Sequence, residues 1–210
     1  MNDTRETSFE ELVATALERG SKARSITAVC GAPGAGKSTL SDTLAAHLND
    51  RETDSAAVFP MDGYHFDDLI LNARGWRARK GAPHTFDVAG FAQMLIRLKR
   101  NEEAEIAVPV FDRSIEIARN SARIIPRSVR HLVVEGNYLL LDQSPWHELV
   151  PLFDTTVFLD VPLDELERRL SERWQDLSPE DCRKKLAEND LPNAELVSTK
   201  SRPAEFVLRA

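Results

Sequence analysis

The chain has 210 residues, of which 42% are hydrophobic and 29% charged, so it can form one continuous core and is not predicted to be disordered. Its formal net charge of −7 argues against a nucleic-acid partner, because Lys and Arg drive binding to a phosphate backbone. No apolar run is long enough to cross a bilayer, and the start of the chain lacks a signal-peptide charge pattern. We therefore expect no membrane partner. The two cysteines, Cys30 and Cys182, show no metal-site spacing, and so few cysteines fit a reduced, cytoplasmic setting.

The first predicted element is an amphipathic helix within residues 1–24. Its apolar residues recur at helical spacing before a terminating glycine, namely Phe9, Leu12, Val13, Ala16, Leu17 and then Gly20. Residues 25–30 form a short, β-branched apolar run that leads directly into a glycine-rich stretch. From Lys37 onward, Leu40, Leu44 and Leu48 share one helical face. The pattern predicts a strand, a loop and a helix in succession.

Further strands are predicted at residues 56–60, 106–111, 132–135 and 156–161, and helices at 88–100, 163–174 and 179–188. This alternation is typical of an α/β fold with a mainly parallel sheet of about five strands. Residues 67–87 are rich in Arg, Lys and Gly with little periodicity, which predicts an extended, functional loop. We expect one domain over residues 1–210, with a substrate flap at 67–87 and lid-like helices at 163–188.

One short motif carries the strongest functional signal. It matches G-x-x-x-x-G-K-[ST] and consists of Gly31, Ala32, Pro33, Gly34, Ala35, Gly36, Lys37 and Ser38, with Thr39 following. Glycines let successive backbone N–H groups turn inward around phosphate oxygens. Lys37 would reach the β- and γ-phosphates, and the Ser38 hydroxyl would bind Mg²⁺. A chance match in a chain of this length has a probability of about one in a hundred, so the motif predicts ATP and Mg²⁺ as cofactors.

A second metal candidate closes the apolar run of residues 131–135. Glu135 ends this run before a glycine, as the acid of a Walker-B strand does, and would hold Mg²⁺ directly or through water. The alternative is a solvated turn residue. The chain lacks the Asn-Lys-x-Asp segment of GTPases and the Leu-Ser-Gly-Gly signature of transporter ATPases. Among the classes of P-loop proteins considered, small-molecule kinases therefore remain.

Four further segments resemble the family of uridine kinase, phosphoribulokinase and bacterial pantothenate kinase. They are Met-Asp-Gly-Tyr-His at 61–65, Pro-His-Thr-Phe-Asp at 83–87, Val-Pro-Val-Phe-Asp at 108–112 and Val-Glu-Gly-Asn at 134–137. A resemblance to bacterial fructose transport system kinases extends to Asn-Asp-Leu-Pro-Asn at 189–193. The resemblance implies a three-layer, mononucleotide-kinase-like P-loop NTPase fold with a substrate flap and a lid.

The same resemblance implies roles for individual residues. Asp62 lies at a predicted strand end and would be the catalytic base, the alternative being a cap for the following turn. His84 and Asp87 would contact the acceptor, although Asp87 could instead cap the helix that begins at residue 88. Further implied substrate contacts are Tyr64, His65 and Arg113, and Asp112 is either a contact or a turn residue.

Two further groups concern the transferring phosphate and the adenine. Arg169 and Arg173 are four residues apart on one helical face and would close over the transferring phosphate as a lid. Together with Lys37, they would stabilise its charge. The alternative is a solvated face paired with nearby glutamates. Leu170 stands where uridine kinases often have another arginine. The resemblance places Asn189, Pro192 and Asn193 beside the adenine.

These observations predict an ATP-dependent kinase acting on a hydroxyl of a small metabolite, which the resemblance indicates is a fructose-type sugar. A nucleoside or pantothenate kinase is the alternative within the family. An ATP-binding regulatory module without transfer is the alternative from another class, although such a module needs neither Asp62 nor the flap. A homodimer is expected only because it is the commonest assembly.

Overall fold

The structure, a computed structural model, describes residues 4–209. Its strands are β1 (Arg5–Glu6), β2 (Ser25–Gly31), β3 (Ala56–Pro60), β4 (Glu105–Asp112), β5 (Ile117–Pro126), β6 (His131–Gly136), β7 (Thr155–Asp160) and β8 (Phe206–Arg209). Six of these strands form one sheet in the order β1-β8-β7-β2-β6-β3, and every neighbouring pair is parallel. The predicted α/β fold with a parallel sheet is therefore confirmed, with one more strand than expected.

The helices are α1 (Phe9–Gly20), α2 (Lys37–Arg51), α3 (Asp68–Ala73), α4 (Val88–Arg100), α5 (Leu163–Arg173), α6 (Pro179–Lys185) and α7 (Leu191–Lys200). A π-helical turn, Leu186–Asp190, joins α6 to α7. The first helix begins where the Ser8 hydroxyl accepts a hydrogen bond from the Glu11 backbone N–H, as an N-cap does. Within residues 4–209, no helix combines the length and the apolar character needed to cross a bilayer.

The sheet lies between two helical layers, and the alternation of β2 shows why. All seven residues of β2 are buried. Ile26, Ala28 and Cys30 join a core cluster that includes side chains of α4, whereas Val29 joins a second cluster with side chains of α1 and α2. A strand covered on both faces is apolar throughout, as parallel strands generally are. The arrangement exposes only the ends of the strands, where a ligand can bind.

Strand β4 confirms the prediction of a strand at 106–111, but its expected place in the parallel sheet is wrong. It pairs antiparallel with β5 in a separate two-stranded sheet. Only residues 113–116 connect the two strands, and so short a connection permits an antiparallel hairpin but no parallel crossover. Strand β5 was not expected from the sequence, because most of its residues are exposed and they show no apolar alternation. The hairpin therefore stands beside the main sheet.

The segment 67–87 was expected to be an extended loop, and this expectation is wrong, because most of the segment is folded into helical turns. It contains α3 and two 3₁₀ turns, Arg77–Arg79 and Pro83–Thr85. Asp67 caps α3 by accepting from the Leu69 backbone N–H at 2.8 Å. The Tyr138 hydroxyl, on a fully buried side chain, donates to the Gly81 carbonyl at 2.6 Å. The flap is thus fastened to the core at its second half.

Arg24, one residue before β2, is buried without a carboxylate partner among the described residues. Its guanidinium donates to three backbone carbonyls, those of Val129 at 2.6 Å, Leu98 at 2.9 Å and Pro126 at 2.7 Å. Burial lowers the pKa of Arg24 to about 10. The side chain ties the end of α4 and the end of β5 to the start of β2.

Candidate active site

Three adjacent strands end at one cleft. In the sheet, β2 and β3 both flank β6, and the register pairs Pro60 with Glu135 and Cys30 with Gly136. The strand ends therefore bring together the glycine-rich loop after β2, Glu135 at the end of β6 and Asp62 just after β3. The cleft has a volume of about 330 Å³. Such strand ends are where open α/β sheets bind ligands.

The loop between β2 and α2 has the backbone of a phosphate cradle. Gly34 and Gly36 adopt φ values of 82° and 96°, which side-chain-bearing residues rarely adopt. A Cβ on Gly34 would also lie 3.1 Å from Leu170 of α5. Lys37 is buried, and its Nζ donates to the Ala32 carbonyl at 2.8 Å. Burial lowers the pKa of Lys37, while the nearby Glu135 and Asp62 carboxylates oppose that shift.

Ser38 and Glu135 fit the metal position predicted for them. The Ser38 hydroxyl donates to Glu135 Oε2 at 2.7 Å, so two hard oxygen donors lie side by side next to the loop. Burial raises the pKa of Glu135, and the Ser38 hydrogen bond opposes this. Among residues 4–209, no cluster of three His, Cys, Asp or Glu side chains could hold a metal. A magnesium ion here would take one or two protein oxygens and the rest from phosphates and water, which is its usual preference.

Asp62 lies across the cleft from the loop, on the 3₁₀ turn Met61–Tyr64. Its Oδ2 accepts a hydrogen bond from Arg113 Nη2 at 2.7 Å, and Arg113 comes from the turn between β4 and β5. His65 Nδ1 lies 2.8 Å from the Asp62 backbone carbonyl, so Nδ1 carries the proton. Burial lowers the pKa of His65. The structure thus brings Asp62, His65 and Arg113 together, as the resemblance implied.

The arginines of α5 have separate environments. Arg168 is exposed and paired with Glu165 and Glu172, the solvated arrangement considered as the alternative. Arg169 pairs with Glu165 at 2.6 Å and donates to the Ala35 carbonyl of the loop at 3.2 Å. Arg173 lines the cleft and has no ion pair within residues 4–209. Burial and the neighbouring Arg113 both lower the pKa of Arg173.

The segment 189–193, which the resemblance places beside the adenine, contacts the substrate flap in the structure. Asn189 and Asn193 line the same cleft as Asp62, whereas Pro192 does not. Asn189 Nδ2 donates to the Lys80 carbonyl of the flap at 3.1 Å, and Asn193 Nδ2 donates to Asn189 Oδ1 at 3.2 Å. These contacts join the segment to the substrate flap, and its placement beside the adenine stays a prediction.

Four other predicted substrate contacts lie outside the cleft lining. The Tyr64 ring packs in the core, with centroids 5.1 Å from Phe91 and 6.0 Å from Phe59. His84 is exposed, and its ring lies 5.0 Å from that of Trp76. Asp87 accepts from the Gly90 N–H at 2.9 Å, which is the N-cap considered as its alternative. Asp112 accepts from the Ser114 hydroxyl at 2.6 Å, as a turn residue does. Their roles in substrate binding stay predictions.

Sequence reasoning assigned no role to several residues of the cleft, namely Lys80, Glu116, Asn137, Trp174, Lys185 and Asp190, although Asn137 and Asp190 lie in the segments 134–137 and 189–193. Trp174 donates through Nε1 to Asp190 Oδ2 at 2.7 Å, and Lys185 Nζ lies 3.6 Å from the centre of its ring. Burial raises the pKa of Asp190. Lys80, Glu116, Trp174 and Lys185 come from separate segments and share no motif. The π-helical turn that aims Asp190 has no signal in the sequence either, although such turns often mark functional sites.

The chain is similar to several proteins that are named as kinases. No protein-family profile matches the chain. The "Putative uridine kinase C227.14" of Schizosaccharomyces pombe is 33% identical over 173 residues, which are 79% of this chain and 73% of that protein. A "Pantothenate kinase" of Streptomyces coelicolor is 28% identical over 169 residues, which are 76% of this chain and 51% of that protein. The chain therefore spans about half of the latter relative.

A solved structure is similar over nearly its whole length. It is described as a "putative fructose transport system kinase" from Silicibacter sp. TM1040, has a TM-score of 0.89 and is 38% identical. The match covers 96% of this chain and 99% of that chain. Together with the phosphate loop and the strand-end carboxylates, these relatives show that the chain belongs to the P-loop kinases of the uridine kinase and pantothenate kinase type, which are ATP-dependent phosphotransferases acting on hydroxyl groups.

Proposed function

We propose that this kinase transfers the γ-phosphoryl group of magnesium-bound ATP to a hydroxyl of a small, sugar-type metabolite, with Asp62 as the base. One observation carries the proposal. Neighbouring strands present a phosphate loop with Lys37, a Ser38–Glu135 pair and Asp62 to a single cleft. Phosphoryl transfer depends mainly on positioning and on charge stabilisation, and these residues supply both.

The donor side of the cleft would hold the phosphates. Backbone N–H groups of the loop and the N-terminus of α2 favour bound anions. Lys37, now bonded to the Ala32 carbonyl, would turn its ammonium to the phosphates, and Arg173 would approach from the lid helix. Ser38 and Glu135 would hold Mg²⁺, which neutralises charge on the phosphate oxygens when bound.

The acceptor side would handle the proton. As the acceptor oxygen forms its bond to the γ-phosphorus, the bond from that phosphorus to the β–γ bridging oxygen breaks and ADP leaves. The hydroxyl proton passes to the Asp62 carboxylate, which lies at the strand end facing the loop. His65 contacts the Asp62 backbone and would help to fix the position of that carboxylate.

The size and lining of the cleft support a small, polar acceptor. About 330 Å³ must hold both the transferring phosphates and the acceptor, which favours a sugar-sized molecule over a nucleoside. The name of the Silicibacter relative also points to a sugar, and other relatives are named for uridine and pantothenate. A cytoplasmic location and a homodimer remain proposals that rest on composition and base rates alone.

The test is a coupled ADP-release assay with Mg²⁺ and ATP over sugars, sugar acids, nucleosides and pantothenate. We expect one acceptor class to stimulate ADP release at least tenfold above the rate without acceptor. The product's mass, increased by one phosphoryl group, would identify the transfer. Acceptor-independent hydrolysis, or tight ATP binding with a flat panel, would contradict the proposal and favour the regulatory module.

A further inference from the structure

Two cations from separate segments meet over one aromatic ring in the acceptor side of the cleft. Lys80 Nζ, from the flap, lies 5.5 Å from the centre of the Phe111 ring. Arg113 Cζ, from the hairpin turn, lies 5.8 Å from the same point. The His65 ring stacks on Phe111 with centroids 4.6 Å apart. The ring supports each cation by a cation–π contact, but it cannot neutralise either charge.

The anionic partners of these cations are few. Lys80 pairs with Asp68 at 2.7 Å and also donates to the Glu116 backbone carbonyl. Arg113 has one carboxylate partner within residues 4–209, and that partner is Asp62. The cleft lining carries five Lys and Arg side chains against four Asp and Glu side chains, although the whole chain has a net charge of −7. The cleft lining therefore has a formal charge of +1, in contrast to the acidic chain as a whole.

The pair between Arg113 and Asp62 conflicts with the proposed chemistry. Asp62 Oδ2 is occupied by the guanidinium, so this oxygen is not free to accept the proton of an acceptor hydroxyl. When an acceptor hydroxyl approaches Asp62, the Arg113 guanidinium has to move from this carboxylate and becomes available to another anion. Lys37, Arg173 and the loop N–H groups would bind the phosphates of ATP. An anionic group on the acceptor, delivered together with the hydroxyl, would be a suitable new partner for Arg113.

We propose that the acceptor carries a carboxylate or a phosphate group, which replaces Asp62 as the partner of Arg113 with Lys80 as the second cation. This inference rests on the proposed function and names the class of its substrate. Arginine suits the role, because its planar fork matches two oxygens of a carboxylate or phosphate. Binding of the anion would free Asp62 at the moment when a hydroxyl is delivered to it.

The mobility expected of the two cations fits this division of roles. The Lys80 side chain is only 7% exposed and is held by Asp68, so it provides a fixed positive charge. The Arg113 side chain is 56% exposed at the tip of a hairpin, so it can swing from Asp62 to a bound ligand. An acceptor without an anionic group would leave the Arg113–Asp62 pair intact and the base masked.

The experiment compares acceptors in matched pairs that differ by the anionic group. We would use glycerate and glycerol, gluconate and sorbitol, fructose 6-phosphate and fructose, and pantothenate and its alcohol. The pairs distinguish a carboxylate from a phosphate as the recognised group. The readouts are ADP release with Mg²⁺ and ATP, and the rise in melting temperature with a non-hydrolysable ATP analogue present.

In the wild-type protein, we expect the anionic member of at least one pair to have a kcat/KM about 30-fold above its neutral partner. In Arg113→Gln, the KM for that acceptor should rise about 30-fold, with a smaller change in kcat and no change in ATP binding. Arg119→Gln is the matched control, because Arg119 is exposed on the same hairpin and, within residues 4–209, its side chain pairs only with Asp112, at 3.3 Å. The control should behave as the wild type does.

Each other outcome overturns the inference in a recognisable way. Turnover of neutral members equal to or better than their anionic partners would sustain the proposed function and reject the anionic acceptor. An equal loss of kcat for every acceptor in Arg113→Gln would assign Arg113 to the transferring phosphate instead. A panel with ATP binding but no stabilisation or turnover by any acceptor would reject both the proposed function and this inference.

Discussion

The donor side and the acceptor side of the cleft are built in different ways. The donor side consists of backbone N–H groups and one buried lysine, all placed by the fully buried strand β2. The acceptor side consists of side chains from a flap and a hairpin that stand outside the parallel sheet. A site made of backbone tolerates little change, whereas a site made of exposed side chains can be altered freely. The comparison explains why the donor is common to the family while the acceptor is specific to the protein.

Asp62 lies at the boundary of the two sides, and its substitution should separate them. Asp62→Asn keeps the shape of the side chain but removes the base, so we expect kcat to fall about 10³-fold. ATP binding, measured by calorimetry, should be retained because the phosphate loop is untouched. Asp142→Asn, at an exposed acid paired with Arg202, is the control and should have wild-type activity. A fully active Asp62→Asn would remove this residue from the mechanism.

Arg24 connects the two sides, since it holds the ends of α4 and β5 to the start of β2. Arg24→Met would leave three buried carbonyls without their donor, at about 1 kcal/mol each. We expect the free energy of unfolding to fall by about 3 kcal/mol and the melting temperature by about 6–12 °C. Arg100→Met, at an exposed arginine that ends α4, should change the stability by less than about 0.5 kcal/mol. A loss below about 1 kcal/mol in denaturant titrations would refute this account of Arg24.

Two arginines of one helix should differ sharply in their effect on catalysis. Arg173 lines the cleft and has no ion pair among the described residues, so Arg173→Ala should lower kcat about 100-fold by removing a cation from the phosphoryl group. Arg168 is paired with two glutamates on the outer face, so Arg168→Ala should leave kcat unchanged. Steady-state kinetics with a saturating acceptor would measure both. Equal effects of the two substitutions would contradict the lid geometry.

The smallest predicted effect is a loss of stability at acidic pH that is caused by one buried histidine of the parallel sheet. His131 begins β6, is only 3% exposed, and its Nδ1 has no hydrogen-bond partner among the described residues. Burial, with a contribution from Arg130, lowers the pKa of His131. Below about pH 6.5, His131 binds a proton in the unfolded chain more readily than in the folded chain. The free energy of unfolding is therefore highest above that pH and decreases as the pH falls.

We expect the free energy of unfolding to drop by about 1 kcal/mol more between pH 7.5 and 5.5 in the wild type than in His131→Gln. Chemical denaturation at the two pH values would measure this difference. His47→Gln, at an exposed histidine of α2, serves as the control and should keep the wild-type pH dependence. An unchanged pH dependence in His131→Gln would show that other groups control the acid response.

The sequence predicts the donor side of the cleft better than the acceptor side. Lys37 and Ser38 were predictable because the phosphate loop is one contiguous motif, and Asp62 and Glu135 because each closes an apolar run. Strand β5 was not predictable, since an exposed hairpin strand needs no apolar alternation. Trp174, Lys185 and Asp190 meet only through the packing of a π-helical turn, which local patterns do not encode. Tyr64 shows that a motif residue can also pack against the core, because its ring lies 5.1 Å from that of Phe91.

The separate hairpin of β4 and β5 has an evolutionary consequence. Its strand pairing is made within the hairpin, and its turn at residues 113–116 is exposed, so substitutions in the turn leave the pairing of the parallel sheet intact. Stability limits how far a lineage can change its sequence, and mutations at such a tip consume little of that margin. A descendant could thus acquire a new substrate through a few changes in one surface turn, while inheriting its chemistry unaltered.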